Sequence, residues 1–521
     1  MTNKKIVLIN PNNKGNNVQG IFMRENLGLC YIAAYLRKSG FEVQIIDARI
    51  ENSSPESVAS RIIKIRPFLV GFSVIAKTAI DWCEETAKII KSDKNNTPHT
   101  CLGNYFPTLQ PIRALESMPS ADSVILGEGE ITIVKLANRL SRHTKWKHIV
   151  GLVYRTKSKI VVNKRRKLTR NLDKLLLPDH YASEHNLPEF AIEGSRGCYR
   201  ACSFCSINPF IQAKTIKDRW RFRSAQNMIV EIKNATKKYP LLKIFRFIDP
   251  DFIGSPQHLD RLKEFISILK KEKLGITFII DTRTEVVNDI PREIWQEFYN
   301  VGLREIFLGV ETAIPEIKKK MLKYSNIDKD ISAINLLNSL NIRTRFGFMM
   351  ITPWSTEENL ITNANVLRYL GFSRLDKYFQ EMYLVPGTSA INLVDKNVKI
   401  WFDNDGKGEY YTYALPSPLK EVRTMCRFLV DQYQVFFNQI QSVHEKIRQM
   451  EIGGNKVQKL KEKMNDFNYS IFVDIIDIAK NISDIKNSKS VEECANNIVK
   501  NYKPKIISLE KEVNFVKKIN N

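Results

Sequence analysis

Along the first 150 residues, short apolar runs alternate with segments whose apolar positions recur every three or four residues. The run 6–9 precedes a helical pattern over Leu27–Lys38, 42–46 precedes Pro55–Ile65, and 69–72 precedes 79–90. The series continues with 100–102, a helix near 109–116, 123–126 and a helix over 130–140. Strand–helix alternation with glycine at strand ends (Gly71, Gly103, Gly127) predicts a doubly wound parallel sheet, and ligands on such sheets sit at the carboxyl ends of the strands.

A Lys/Arg-rich connector, 151–185, leads to a second alternating series over 186–400. Its strand-like runs fall at 190–193, 244–248, 276–281, 305–310, 344–350 and 377–384, with helical patterns such as 225–239, 259–272 and 290–299 between them. Six repeats predict a partial (β/α)6 barrel whose chemistry lies at its C-terminal mouth. After Pro416 the period changes: Leu419, Val422, Cys426, Leu429, Tyr433, Phe436, Ile440, Val443 and Ile447 form one long amphipathic stripe, ended by Gly453-Gly454. The region 401–521 therefore reads as helical, its stripe packing onto the barrel. The expected class is α/β, with a Rossmann-like sheet, a partial barrel and a helical tail.

The 521 residues include 43% hydrophobic residues, enough for ordinary cores, which excludes full disorder and a small disulfide scaffold. No run approaches the roughly 18 apolar residues of a membrane span, so a soluble, cytoplasmic protein is expected. Lys+Arg outnumber Asp+Glu by 80 to 56, giving a net charge of +24. The local basic clusters 164–167 and 318–320 lack interleaved aromatics, so the charge reads as a lysine-rich surface rather than a nucleic-acid stripe.

Five of the eight cysteines (Cys30, Cys83, Cys101, Cys426, Cys494) are scattered in apolar or helical contexts and read as small buried hydrophobes. The other three, Cys198, Cys202 and Cys205, share one loop after the strand-like run 190–193. An odd set of close thiols in a reducing compartment argues for metal rather than disulfides. A zinc site would need a fourth ligand at the usual spacing, and the nearest downstream histidine is His258. Three thiolates on a four-iron cluster leave one iron open.

Cys198-x3-Cys202-x2-Cys205, with Phe204 before the last cysteine, resembles the cluster motif of the radical S-adenosylmethionine (SAM) superfamily. The segments 220–224, 247–252, 309–312, 347–353 and 386–388 look like further landmarks of that superfamily. The resemblance implies a 4Fe–4S cluster on the three cysteines and SAM on its open iron. Asp249 or Asp251 would then hold the SAM amino group, Arg283 its carboxylate and Glu311 its ribose or amino-acid end, with Phe204, Gly309 and Met350 also in contact. The chemical types fit, since these are acceptors for an ammonium and a hydroxyl and a fork-shaped donor for a carboxylate.

The N-terminal part is similar to the cobalamin-binding domain that precedes the barrel in one radical SAM subgroup, through 26–43, 71–73, 103–108 and 127–130. That similarity implies corrin contacts from Asn10, Gly28, Ser73, Gly103, Pro107, Thr108, Gly127, Glu128 and Gly129. No Asp-x-His-x-x-Gly signature is present, so no histidine from that loop ligates cobalt. Asn104, Tyr105 and Phe106 are bulkier than the subgroup's pattern and are expected to crowd or cover one corrin face.

The implied activity is cobalamin-dependent methylation of an unactivated carbon in a small molecule, natural-product intermediate or peptide, with a flavodoxin or ferredoxin as reductant. The alternative is a radical cyclisation, rearrangement or oxidation in which cobalamin is absent or does not methylate. RNA modification ranks below both: Cys30, Cys83 and Cys101 lie on separate elements and the C-terminus is helical, whereas RNA-modifying methylthiotransferases carry an N-terminal three-cysteine set and a C-terminal β-barrel. No histidine belongs to a spacing motif, and no general acid or base is named.

Overall fold

Ile6, Val7, Leu8 and Ile9 are each at most 1% exposed, so their strand is covered on both faces, as a central strand of a parallel sheet must be. The computed structural model describes residues 3–12, 24–185, 187–213, 215–403, 409–450, 454–481 and 488–520. In it β1 (Lys5–Asn10), β2 (Glu42–Asp47), β3 (Leu69–Ser73), β4 (His99–Gly103) and β5 (Ser123–Ile125) run parallel in the order β2-β1-β3-β4-β5. The connector adds β6 (Leu152–Arg155) and β7 (Ile160–Val162) as an antiparallel edge. Helices cover both faces over two separate apolar cores, the doubly wound arrangement expected.

The second sheet is parallel, in the order β14-β13-β12-β11-β8. It comprises β8 (Phe190–Ile192), β11 (Ile244–Phe247), β12 (Thr277–Thr282), β13 (Leu303–Glu311) and β14 (Arg343–Phe348). A short antiparallel pair, β9 (Ser195–Gly197) with β10 (Trp220–Phe222), brackets the cysteine loop. Helices pack outside through Phe245, Phe247, Phe265, Phe278 and Trp295, all at most 1% exposed. The sixth strand expected at 377–384 is reduced to the short helix Leu375–Tyr378 and one parallel bridge, Ile351 to Glu381. Pro353 and Pro386 lack the N–H groups that a longer ladder would need.

The stripe of 419–447 is buried in the same continuous core as the barrel. It forms two helices, Leu419–Gln432 and Gln434–Gln449, rather than one. Tyr433 leaves the helical region (φ −116, ψ 40) and hydrogen-bonds Asn496 on the last helix, Ser488–Asn520. Gly453, expected to end the stripe, lies outside the described residues. Tyr378 stacks on Phe472 of helix Gly454–Asn481 at 4.6 Å and 6°, a pair worth about 1 kcal/mol beyond burial. Among the described residues no helix is long and apolar enough to cross a membrane.

Buried charge joins the N-terminal sheet to the barrel. Arg196 pairs with Glu130 at 2.7 Å and Glu193 at 2.8 Å, and Arg221 pairs with Glu128 at 2.7 Å. His180 lies between Glu25 (2.7 Å) and Glu231 (3.1 Å). Glu25, Cys30 and His180 place possible ligand atoms within 4.8 Å of one another. Glu25 is already committed, because its second oxygen accepts the N–H groups of Tyr181 and Ala182. Burial alone would lower the His180 pKa, but the two carboxylates push it up to about 9. The group is an imidazolium clamp that no spacing motif marks in the sequence.

This clamp sets a pH dependence. The folded pKa of about 9 exceeds the unfolded value of about 6.5, so the contribution is complete below about pH 6.5 and is lost as pH rises through about 9. The melting temperature is expected to fall between pH 7 and 10, with roughly 2–3 kcal/mol at stake, and His180→Gln should flatten that fall. An unchanged slope in the variant would remove the clamp.

Candidate active site at the cysteine loop

Gly197 ends β9 at φ +90, where a Cβ would stand 1.9 Å from the Arg219 carbonyl oxygen, so only glycine admits the turn into the cysteine loop. Backbone groups then hold the loop. The Ser203 N–H donates to the Met321 carbonyl (3.0 Å), the Ala390 N–H to the Ser203 carbonyl (2.9 Å), and the Ser203 hydroxyl to the Lys320 carbonyl (2.8 Å). The thiols take no part in that scaffold. None of the three is in a disulfide; Cys202 is buried, and Cys198 and Cys205 are half-buried. Burial pushes the Cys205 thiol up to about 11, and burial with Asp251 nearby also raises Cys198. Such thiols ionise readily only against a bound cation.

The ends of β11 and β12 bring polar groups to the loop. Cys198 Sγ lies 3.8 Å from Asp251 Oδ2, and Arg283 Nη1 donates to Cys202 Sγ at 3.2 Å. Asp251 Oδ1 accepts the Gly254 N–H (3.2 Å) and the Thr282 hydroxyl (3.1 Å), and burial raises its pKa to about 6. Asp249 instead turns to the Gly194 N–H (2.9 Å); its Oδ1 is buried without a partner, and burial raises it to about 7. Arg283 Nε donates to Glu285 at 2.6 Å, while its Nη2 is buried with no partner. Burial opposes the guanidinium charge, but Cys202 and Glu285 hold it protonated.

Glu311 ends β13 in the left-handed region (φ +71), a conformation costing roughly 1–2 kcal/mol for a non-glycine residue. The β13–β14 register shifts there, between Gly309 and Glu311. Its carboxylate rests over two glycines: a Cβ on Gly309 would stand 2.8 Å from Oε1, and one on Gly347 3.0 Å from Oε2. Lys323 Nζ lies 3.8 Å from Oε1 and donates to the Gly309 carbonyl at 2.6 Å. Phe204 is half-buried against the barrel. Met350 departs from expectation: it is fully buried in the core, and half-buried Met349 precedes it.

At the carboxyl edge of the N-terminal sheet, Ser73 Oγ accepts the amides of Asn26 and Asn104, each at 2.9 Å, leaving its hydroxyl proton to donate. No atom lies within 4 Å of where a Cβ would stand on Gly103 or Gly127. Thr108 Oγ1 accepts the Gly127 N–H at 3.0 Å, tying these loops together. Gly28 sits in the first turn of helix Leu27–Lys38, close to its N-cap Asn26.

Four other residues expected at the corrin are already engaged within the protein. Asn10 donates to both Asp47 oxygens and accepts from Asn26, so its amide is fully engaged. Glu128 is held below the usual carboxylate range, against its burial, by Arg196 and Arg221. Pro107 is buried in helix Tyr105–Leu109, and Gly129 lies against Ile125 and Ile32. The expected crowding is also diverted, since Phe106 points into the core and Asn104 turns to Ser73. Tyr105 packs against Phe210, just beyond the cysteine loop, with centroids 4.5 Å apart and the rings tilted by 30°.

Residues 23–137 match the B12 binding domain family, and residues 192–366 match the Radical SAM superfamily. The chain is a radical SAM enzyme with a cobalamin-binding domain. An uncharacterised methyltransferase of Pyrococcus horikoshii is 27% identical over 64% of this chain and 71% of the relative. An anaerobic magnesium-protoporphyrin IX monomethyl ester cyclase of Rubrivivax gelatinosus is 28% identical over 64% of this chain, which spans only 60% of that relative. The solved structure of the cobalamin-dependent radical SAM enzyme OxsB, with aqua-cobalamin and SAM bound, matches at TM-score 0.73 and 19% identity, covering 99% of this chain and 79% of that one. This likeness extends to the helical tail.

The radical SAM enzyme's cofactors are a 4Fe–4S cluster, SAM and cobalamin. Its residues suit them: three free thiols on one loop, a buried guanidinium nitrogen lacking an acceptor, and two strand-end glycines facing open space. Sequence reasoning missed the groups that aim these residues. Trp220 Nε1 (2.7 Å) and Ser195 Oγ (2.9 Å) both donate to the Asp251 carbonyl, and Glu285 also bridges Arg283 to Arg200 at 3.4 Å. The motif at 220–224 was a visible signal for Trp220; nothing in the sequence marked Ser195 or Glu285.

Proposed function

We propose that the enzyme methylates an unactivated carbon of a small molecule or peptide, consuming one SAM as methyl source and a second as radical source. The observation that carries this reading is the Tyr105–Phe210 ring contact, which brings the carboxyl edge of the cobalamin-binding sheet against the short helix that follows the cysteine loop. Similarity to the Pyrococcus horikoshii methyltransferase supports it.

When bound, the cluster supplies one electron to SAM, and cobalamin carries the methyl group. Cys198, Cys202 and Cys205 would hold the cluster, and as only three thiolates they would leave it able to bind SAM. Asp251, beside Cys198, would accept an N–H of the SAM amino group, whereas Asp249 positions the β8–β9 turn through Gly194. The unpartnered Arg283 Nη2 receives the SAM carboxylate, and Glu311 accepts from a ribose hydroxyl. Ser73, Gly103, Thr108 and Gly127 form the corrin-facing surface, where the missing side chains admit a flat ring.

Similarity to the Rubrivivax gelatinosus cyclase favours a second reading, radical cyclisation or oxidation without methyl transfer. Anaerobic reconstitution with iron, sulfide and cobalamin, followed by product analysis, separates the two. Methylation gives S-adenosylhomocysteine and 5′-deoxyadenosine in equal amounts; 5′-deoxyadenosine alone supports the second reading, and neither product overturns both.

Gly347→Val offers a finer check. Its side chain would press on Glu311 and on Phe307, 3.3 Å from the Cβ position. A displacement near 1 Å should cost about 100-fold in kcat/KM for SAM while cluster content stays unchanged. Wild-type kinetics would remove Glu311 from the site.

A further inference from the structure

The two faces of the barrel strands differ in cover. Phe278, Ile280, Phe346 and Phe348 point outward into the helical core and are at most 2% exposed, whereas Ile279, Asp281 and Arg345, which alternate with them, are half-exposed. A filled barrel packs its interior with layers of side chains. Here the inner face stays open, and the Arg345 side chain is 39% exposed. Arg283 follows Asp281 by two residues at the end of β12, and Gly347 follows Arg345 by two on β14. The open lumen therefore lies roughly 7 Å deeper in the barrel than the groups proposed to hold SAM.

The lumen is cationic. Glu305 takes Arg343 at 2.8 Å and Arg345 at 3.1 Å, with Arg246 at 4.0 Å, and Arg246 is shared with Glu189 at 2.8 Å. Arg24 and Lys377 add a cation each, the first facing Asp281 and the second beside Arg345. Among the described residues these five cations face three carboxylates, Glu189, Asp281 and Glu305, since Lys323 and Arg374 are matched by Glu311 and Asp376. Two of the cations have capacity left. Arg345 commits only Nη1, to Glu305, and the Lys377 ammonium has no hydrogen bond or ion pair among the described residues. Burial lowers Lys377 below the usual lysine range, with Arg374 and Arg345 acting in the same direction, so the lumen gains by taking up negative charge.

We infer that this lumen seats an anionic group of the substrate, a carboxylate or a phosphate, between the Arg345 guanidinium and the Lys377 ammonium. A planar fork and a compact point charge together suit either oxyanion. The anchored end lies deep in the barrel, and the carbon to be methylated lies toward the mouth, where the cysteine loop stands. The inference rests on the proposed function, which supplies the substrate whose anionic end is named. It narrows the substrate class, because an uncharged hydrocarbon or a cationic amine would leave Lys377 unpaired inside the barrel.

The test is a calorimetric titration of the full-length apoprotein at about pH 8 with inorganic phosphate and, separately, acetate. Saturable binding at about one equivalent per chain is expected, and the tighter of the two probes names the anion class. Arg345→Met together with Lys377→Met should weaken that binding about ten-fold or more. Glu305 keeps Arg343, so this double variant should still fold and melt near wild type. Asp281→Asn should tighten binding by about three-fold, which loss of structure would not do: burial raises this carboxyl only to about 6, so it is ionised under these conditions beside the same cations. Lys500→Met with Lys503→Met, exposed on the last helix, should leave the affinity within about two-fold of wild type. Binding of neither probe, wild-type affinity in the double variant, weaker binding in Asp281→Asn, or an equal loss in the last-helix variant overturns the lumen seat. So does a loss in Arg283→Met as large as in the double variant, which would place the anion at the SAM carboxylate position. The titration needs neither cluster nor corrin. A reconstituted enzyme that gives no methylated product while the anion binds in this pattern would therefore overturn the methylation reading and leave the seat standing.

Discussion

Cys202→Ala is expected to abolish SAM cleavage while leaving the fold intact. The loop is anchored through Ser203 and Ala390, so removing one thiol leaves its backbone bonds in place and should cost only about 1 kcal/mol. The cluster loses a ligand and Arg283 loses its sulfur acceptor. After reconstitution, iron content and visible absorption should drop to background, with 5′-deoxyadenosine undetectable and the apoprotein melting within a few degrees of wild type. Full cleavage by this variant would refute the assignment.

Replacement of Arg283 by Met should have the next largest effect, and on a different quantity. The side chain is 7% exposed and holds Glu285 at 2.6 Å and Cys202 at 3.2 Å, yet Nη2 has no partner. A buried donor without an acceptor is costly, and a carboxylate of the ligand would satisfy it. Removing one partner of a buried charge pair costs about 3–5 kcal/mol, so SAM affinity should weaken by roughly two to three and a half orders of magnitude with cluster content unchanged. Arg283→Lys keeps the charge but loses the fork and should recover only part of that loss. Unaltered SAM binding in the Met variant would move the carboxylate site elsewhere.

The two predictions separate because one residue belongs to the loop and the other to the barrel. They meet only where β12 delivers Arg283 to Cys202. The proposed SAM-facing layer is thus assembled from the cysteine loop, two strand ends and a left-handed turn at Glu311. Gly309 and Gly347 leave the space that the Glu311 carboxylate fills.

Some positions were legible because their requirement is local. A three-thiol loop declares its chemistry by spacing, and buried parallel strands declare themselves by short apolar runs. Other positions depend on partners distant in the chain. Asn10 looks like a strand-end ligand group until Asp47 and Asn26 occupy it, and Glu128 looks free until Arg196 and Arg221 neutralise it. Met350 has a side chain suited to a ligand wall, but the register of β14 turns it into the core. The amphipathic period runs unbroken through Tyr433, so the apolar pattern carries no mark of the backbone break there, where Tyr433 leaves the helical region.

The sequence by itself determined the doubly wound sheet, the barrel repeats and the three thiols, because backbone periodicity and loop spacing act over a few residues. Only the tertiary structure decided which of Asp249 and Asp251 faces the thiols, and that His180 clamps two carboxylates. Those outcomes depend on charges and close contacts between residues far apart in the chain, and such pairings exist only once both sheets are packed together.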